Sequence, residues 1–406
     1  MESRTNERDS MSTVTTLSNE QSMQLHTANA KPSASSAQAM ISPGEKKSWL
    51  VDVDTIAQQQ LAPIANEVDA GKYPLTVMSE LGKAGAFGAH LGEQSSFADA
   101  INAMQSISCA CGSTGFLTWC HDVCGLYIEQ SENPALLKNL PDHIEANTFG
   151  GTALSNPMKT FAGIESMLLK AKRVGNEYLV SGMLPWVSHI DAGQYCGAIA
   201  AVENDDGSVS HEIMFMLHVS EGVTLKRCPV FSGMEGTSTK AIVLSNYRVT
   251  EELLIADPAK PFIAKVRASF VLLQTGFGTG VIEGSIKSIL EVEDGLGHVN
   301  QFLHNRPDEL QLEFDELKDK IDSLAQTPFE TDKEYIIDVL DARAQTSELA
   351  LKASQSALLH QGARGYIMSS APQRRIREAH FVAIVTPAIK HLRCEMNRLM
   401  QETVPS

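Results

Sequence analysis

The chain has 406 residues, 43% of them hydrophobic and 20% charged, with a formal net charge of −16. That length builds two or three domains or one composite fold, and the composition is that of an ordinary globular protein. The acidic balance excludes a nucleic-acid surface, which needs a basic stripe, and no run of about eighteen apolar residues offers a membrane span.

The first stretch, residues 1–45, is polar and rich in Ser, Thr, Asn and Gln. It carries too little apolar surface to offset chain entropy, so a disordered extension is expected. Glu2, Glu7 and Asp9 argue against an acid-poor transit peptide and no apolar signal core follows, which makes a cytoplasmic location the expectation.

Residues 46–147 read as a helical domain. WLVDVDTIAQQQLAPIANEVDAG, PLTVMSELGKAGAFGAHL and ADAINAMQSISCACGSTGFLTW repeat apolar residues at three- and four-residue spacing, with glycines at their ends. Four of the seven cysteines, Cys109, Cys111, Cys120 and Cys124, fall here beside His121. Their C-x-C and C-x₃-C spacings are not the C-x₂-C pairs of a zinc site. They read instead as small core hydrophobes in a reducing compartment, and no metal is expected.

Residues 148–256 change period. NEYLVSGMLPWVSHI, QYCGAIAAVEN, EIMFMLHV, VTLKRCPV and KAIVLSNYRV are short runs bounded by turn signals such as NDDGS. GGTALSNP reads as a small-residue strand ending in a Ser-Asn-Pro turn. In LPWVSHIDAG, Trp186 and Ser188 are two apart and share a strand face, while His189 points away. An aromatic plane beside a hydroxyl suits a flat heteroaromatic cofactor, and equally suits a core tryptophan with a surface serine.

Residues 257–406 return to long helical patterns, from KVRASFVLLQTGFGTGVIEGSIKSILEV to HFVAIVTPAIKHLRCEM. Thr386-Pro387 interrupts the last of them, because proline lacks an N–H and disfavours α geometry in the residue before it. A helix junction is therefore expected there. The whole is an α+β chain: an N-terminal helical domain, a middle β-barrel-like domain and a C-terminal four-helix bundle.

This order, with a series of local signatures, resembles the acyl-CoA dehydrogenase superfamily of flavoproteins. LGKAGAFGAHL is similar to the family's "leu-x-x-ala-gly" helix end, GTALSNP to its "thr-glu-pro" flavin loop and LPWVSHIDAG to its "trp-ile-thr" strand. FSGMEGTSTKAIVLSNYRVTEELLI resembles the exit from the family's β domain. GARGYIMSSAPQRRIREA resembles "gly-gly-x-gly-tyr … pro … arg-asp-ala". Together these span about residues 50–395.

The resemblance implies that Leu154 and Ser155 meet a flavin pyrimidine, that Trp186 flanks the isoalloxazine and that Ser188 bonds near N5. It also implies that Gly362 and Gly365 let the chain approach the cofactor closely. FAD is the expected flavin. FMN stays open, because GHVNQFLHN offers Phe302 but no arginine like that of the family's "arg-x-x-phe-gly" stretch, and Leu359 and Ala363 replace a glutamine and a glycine. Arg364 is a candidate phosphate contact. An acyl-CoA or acyl-carrier-protein substrate, a flavin electron acceptor or flavin reductase, and a homodimer or homotetramer are implied as partners.

Dehydrogenation needs a base for the α-proton. Counted from Arg377-Glu378-Ala379, the family's glutamate falls on Thr386 and its glycine on Pro387. The alternative acid position, on the long helix, falls near Ser269 or Phe270, and Glu283 lies roughly 20 Å further along that helix. Three readings follow: a dehydrogenase with another base, a reduced-flavin monooxygenase using a histidine such as His391, or a non-catalytic flavin-binding protein. His391 lies about one and a half turns past the break, and Thr386 occupies the position of the base. His90, His121 and His143 belong to the helices over such a pocket, Glu235 to a turn near the acyl path, and Lys390, Arg393 and Arg398 to a solvated helix face.

Overall fold

A computed structural model describes residues 47–401, so the expected disordered extension lies outside the described residues. The chain starts with α1 (Ser48–Ile56), which runs through a π turn and a 3₁₀ turn into α2 (Ala65–Asp69). Pro63 sits in that 3₁₀ turn and supplies no N–H, which interrupts the α ladder there. Then come α3 (Leu75–Lys83), α4 (Phe97–Ala110), α5 (Gly112–Gln130) and two short helices, α6 (Pro134–Leu137) and α7 (Leu140–Ile144). Ser96 caps α4 by accepting from the Asp99 N–H. Extended Cys111 separates α4 from α5, a helix buried along nearly its whole length. Cys109, Cys111, Cys120 and Cys124 are buried free thiols in this region. Among the described residues no three His, Cys, Asp or Glu side chains converge as a metal site requires.

The sheet region contains β1 (Gly150–Thr152), α8 (Ser155–Phe161), β2 (Leu169–Val174), β3 (Glu177–Val187), β4 (Tyr195–Glu203) and β5 (Val209–His218). It ends with β6 (Val223–Arg227), β7 (Lys240–Val249) and β8 (Leu254–Ala256). Strand order is β6-β7-β3-β2-β4-β5-β8, and β1 pairs with β4. β1 and β2 share one edge of β4, both parallel to it, through Gly150↔Tyr195 and Lys170↔Ala201. Alternate residues such as Val180, Cys196, Ala198, Phe215, Leu217, Ile242 and Leu244 form a core that belongs to the sheet alone. Their neighbours Tyr195, Ile199, Ala201, Met214 and Met216 face the other way and join the helical core. This two-sided burial explains why β4 reads as an unbroken apolar run.

Helices then return as α9 (Ala259–Asn300), α10 (Pro307–Leu324), α11 (Lys333–Gln361), α12 (Ala371–Ile384) and α13 (Ile389–Gln401). The bundle α9–α12 shares one core with α4 and α5, built from residues such as Met104, Phe116, Trp119, Phe277, Ile282, Ala350 and Val382. None of the helices among the described residues is long and apolar enough to cross a membrane.

The stretch that resembles "arg-asp-ala" laces these layers together. Glu378 accepts from the first N–H of α5, Gly112 (3.0 Å), and from Arg374 Nε (3.1 Å). Arg374 also donates to Asn66 Oδ1 and to the Ala110 carbonyl at the end of α4. Arg377 pairs with Asp69, whose second oxygen accepts from the Met234 N–H. A carboxylate at a helix N-terminus is favourably placed against the helix dipole. These bonds fix α12, and hence the break that follows it.

Candidate active site

Two loops from distant parts of the chain meet at the Thr386-Pro387 junction. After β1, Leu154 turns the chain into α8, and Ser155-Asn156-Pro157 form that helix's first turn rather than the expected Ser-Asn-Pro turn. Proline is tolerated there because the first-turn N–H groups have no intrahelical partner. Leu154 is buried, and Ser155 is exposed at the start of the helix. Its Oγ shares a hydrogen bond with Thr386 Oγ1 at 2.9 Å. Thr386 lies between α12 and α13, joined to Pro387 by a cis peptide. Its carbonyl accepts from Gln274 Nε2 at 3.2 Å.

The end of β3 delivers Trp186 and Ser188. Trp186 is 60% exposed, close in sequence to the exposed Met183. Ser188 lies just past the end of the strand, and its Oγ shares a hydrogen bond with Thr239 Oγ1 (2.7 Å), which continues to Thr237 (2.9 Å). A Cβ on Gly151 would stand 3.0 Å from the Ser188 carbonyl, so the β1 segment leading to Ser155 touches the end of β3. His189 turns inward in a left-handed conformation (φ +57°) and is buried, as the alternation predicts.

Gly362 and Gly365 belong to the turn that follows α11. Gly362 ends α11 with φ +60° on the surface, and the Gly365 carbonyl accepts from Ser370 Oγ at 2.6 Å. Among the described residues no hydrogen bond joins this turn to Ser155, Trp186 or Ser188. Arg364 beside it is exposed, and Phe302 is exposed at the far end of α9.

A groove of about 410 Å³ opens between α8, the first turns of α9 and α13, lined by residues including Met158, Lys260, Arg267, His391, Glu395 and Arg398. A smaller cavity continues inward over Val271, Leu340, Pro387 and Leu392, and shares Met158, Arg267, His391 and Glu395 with it. His391 thus stands where the two spaces join. Its Nδ1 is buried and has no hydrogen-bond partner among the described residues. Burial pushes its imidazole below the ordinary histidine range, against the opposing pull of Glu395. Glu395 is held to about 2 by its hydrogen bonds with Arg398 and Arg267, so it stays an ion-paired carboxylate.

The other expected candidates have structural partners. Ser269 donates to the Pro328 carbonyl at 2.6 Å, and Phe270 meets the Trp119 ring edge-on at 5.1 Å. Glu283 accepts from Gln105 (2.6 Å) and pairs with Lys287 (2.8 Å). His121 and His143 stack at 3.7 Å inside the protein, and His90 bonds the Asp122 carbonyl. Glu235 closes its own turn onto the Phe231 N–H. Lys390 is exposed, Arg393 pairs with Glu348, and Arg398 is exposed at the edge of the groove, where it pairs with Glu395.

Comparison with known proteins matches this architecture. Residues 44–138 fit the family model "Acyl-CoA dehydrogenase, N-terminal domain". A probable acyl-CoA dehydrogenase of Bacillus subtilis is 23% identical over 357 residues, 82% of this chain and 91% of that protein. Butyryl-CoA dehydrogenase of Megasphaera elsdenii superposes with TM-score 0.76 at 16% identity, over 87% of this chain and 97% of its own. Residues 44–138 thus match that family's N-terminal domain, and the chain as a whole has the acyl-CoA dehydrogenase fold. The fold also extends to a dibenzothiophene monooxygenase of Paenibacillus sp. A11-2, with TM-score 0.72 at 15% identity over 87% and 97% of the two chains.

Several residues of the groove escape a reading of the sequence. Arg267 and Glu395 meet across 128 residues of sequence, and no local pattern pairs them. Gln274 did leave a signal, as a lone amide inside the apolar run FVLLQTG. A polar group there needs a buried partner, and the Thr386 carbonyl is one.

Proposed function

We propose that the chain is a flavin-dependent oxidoreductase that removes hydrogen from the α and β carbons of an acyl thioester held in the groove, with His391 as the base. The observation that carries this reading is the unpartnered Nδ1 of His391 at the junction of groove and cavity. Of the titratable groups lining the inner cavity, Arg267 and Glu395 are consumed by their ion pair, which leaves the imidazole with a free lone pair. The proton goes from the α-carbon to that nitrogen, and the bonding electrons stay on the thioester. Thr386 orients the junction through Ser155 and does not itself take a proton at neutral pH.

The residues of the β3–β1 surface fit a flavin. Trp186 is a large aromatic left exposed, the Ser188–Thr239–Thr237 row of hydroxyls begins two residues after it, and Ser155 adds a hydroxyl at the start of α8. Flavin chemistry there supplies the two-electron acceptor for the hydride equivalent leaving the β-carbon. FAD is the proposed form and FMN the alternative. Lys260 and Arg398 at the groove mouth suit the phosphates of CoA or an acyl-carrier protein. Leu359, Tyr366, Ile367 and Met368, exposed around Gly362 and Gly365, suit contact with a second copy in a homodimer or homotetramer. We place the enzyme in the cytoplasm.

A reduced-flavin monooxygenase is the second reading, favoured by the lack of a carboxylate among the partners of Thr386. Anaerobic mixing of the oxidised holoenzyme with acyl-CoA separates the two. Bleaching of the flavin with formation of an enoyl thioester is expected. No bleaching, with oxygen incorporated only when reduced flavin is supplied, would transfer the assignment to the monooxygenase.

A further inference from the structure

The helical core contains a charge without a counter-ion. Arg343 of α11 is completely buried, and its three hydrogen bonds go to neutral acceptors. Nε donates to Gln274 Oε1 at 2.6 Å, one terminal nitrogen to Ser347 Oγ, and the other to the Val382 carbonyl at 2.6 Å. Among the described residues no carboxylate reaches it within ion-pair distance. Burying an unpaired guanidinium is expensive, and an apolar side chain would fill a helix core at less cost. A cation retained under those conditions exerts its field on something nearby. The hydrogen bonds lead to one place: Gln274, held by Arg343 through its oxygen, donates its amide N–H to the Thr386 carbonyl (3.2 Å). Thr386 in turn holds Ser155. Val382, the third acceptor, stands four residues before Thr386 on the same strand of chain.

Resting on the proposed dehydrogenase reading, we propose that Arg343 is a positioning residue with an electrostatic role: through Gln274 it fixes the Thr386-Pro387 junction and stabilises negative charge that develops on a bound thioester. When the α-carbon loses its proton to His391, the electron pair left behind spreads onto the thioester oxygen as an enolate. A neutral imidazole is a weak base for that proton, so lowering the cost of the enolate matters more here than in a site with a carboxylate. A fixed cation in a poorly screened interior does that without reorganising.

The test uses the full-length holoenzyme and acetoacetyl-CoA, a 3-oxoacyl thioester whose bound enolate is seen by its ultraviolet absorbance. The apparent pKa of the bound probe is titrated in wild type, Gln274→Glu, Gln274→Met and Arg343→Met. Gln274→Glu keeps the acceptor for Arg343 and cancels its charge, while giving up the amide N–H that the Thr386 carbonyl accepts. Its enolate pKa should rise by about one unit, a tenfold loss of enolate at fixed pH. Gln274→Met breaks the relay with the charge kept and should move the pKa less. Arg343→Met, where it folds, should match Gln274→Glu. A purely structural arginine would change thermal stability while leaving the enolate pKa of Gln274→Glu at the wild-type value, and that result overturns the inference alone. Failure of the wild-type enzyme to bind the probe overturns both this inference and the dehydrogenase reading.

Discussion

At the scale of single residues, the roles proposed for His391 and Trp186 each give a separable test. Because burial lowers the His391 pKa, the ring stays an unprotonated base below the ordinary histidine value of about 6.5. The acid limb of the rate profile should accordingly lie below pH 6.5, with the rate falling as pH drops through it. His391→Gln should lower anaerobic single-turnover flavin reduction by about 10²–10⁴-fold, the usual worth of a positioned base, with flavin content unchanged. Trp186→Ala should do the reverse. It should weaken flavin retention by about tenfold or more, read as cofactor released on gel filtration, because an exposed indole lost from the surface removes about 1–2 kcal/mol of aromatic contact. The non-acidic Thr386 was legible in the sequence, since its spacing from Arg377-Glu378-Ala379 is local to one helix and its end. The ion pair that silences Glu395, and the Arg343–Gln274 relay, were not, because each joins helices far apart in the chain.

The elements explain why the junction stays in place. Gly276, Gly280 and Gly284 lie four residues apart on α9, and α4 packs directly on that glycine face. A Cβ at Gly280 would stand 2.4 Å from the Gln105 carbonyl, a backbone atom with nowhere to go. Gly280→Ala should therefore destabilise by about 1–3 kcal/mol despite alanine's better helix propensity, and urea unfolding at pH 7.5 should show it. An unchanged or raised midpoint would mean that α4 and α9 are not packed this closely. The change of hydrophobic period near residue 148, and its return after 256, made the helix–sheet–helix order readable. β4 and α5 were legible only as apolar runs, because burial on every side erases the periodicity that distinguishes a face. α8 was misread for a different reason. Ser-Asn-Pro is both a turn signal and a legitimate helix start, and only the residues that follow it in space decide between them.

On the scale of the whole molecule, three buried histidines join the N-terminal helices to the sheet, a fourth lies within those helices, and together they make the fold acid-sensitive. His121 and His143 each donate Nε2–H to the other's backbone carbonyl, at 2.8 and 2.9 Å. Their Nδ1 atoms face the Gly150 N–H and the Tyr195 hydroxyl, an arrangement that accommodates neutral rings. His189 shares a hydrogen bond with Tyr73 through Nδ1, and His90 reaches the Asp122 carbonyl. Burial pushes His90 and His121 down to about 4, and holds His143 and His189 well below the ordinary range. In the unfolded chain each titrates near 6.5. Between pH 6.5 and about 4 the unfolded state therefore binds protons that the native state refuses, and stability falls as pH falls. Each ring contributes up to about 1.4 kcal/mol per pH unit to that slope, and the four together about 5 kcal/mol per unit once all are protonated in the unfolded chain. Urea midpoints measured from pH 8 to 5 should stay nearly level above pH 7 and drop steeply below 6.5. His90→Gln, which removes one titrating ring, should flatten the acid slope by close to one proton. A wild-type slope below one proton between pH 6.5 and 5 would mean that the rings accept protons in the folded state, and that the joint between helices and sheet is open to water.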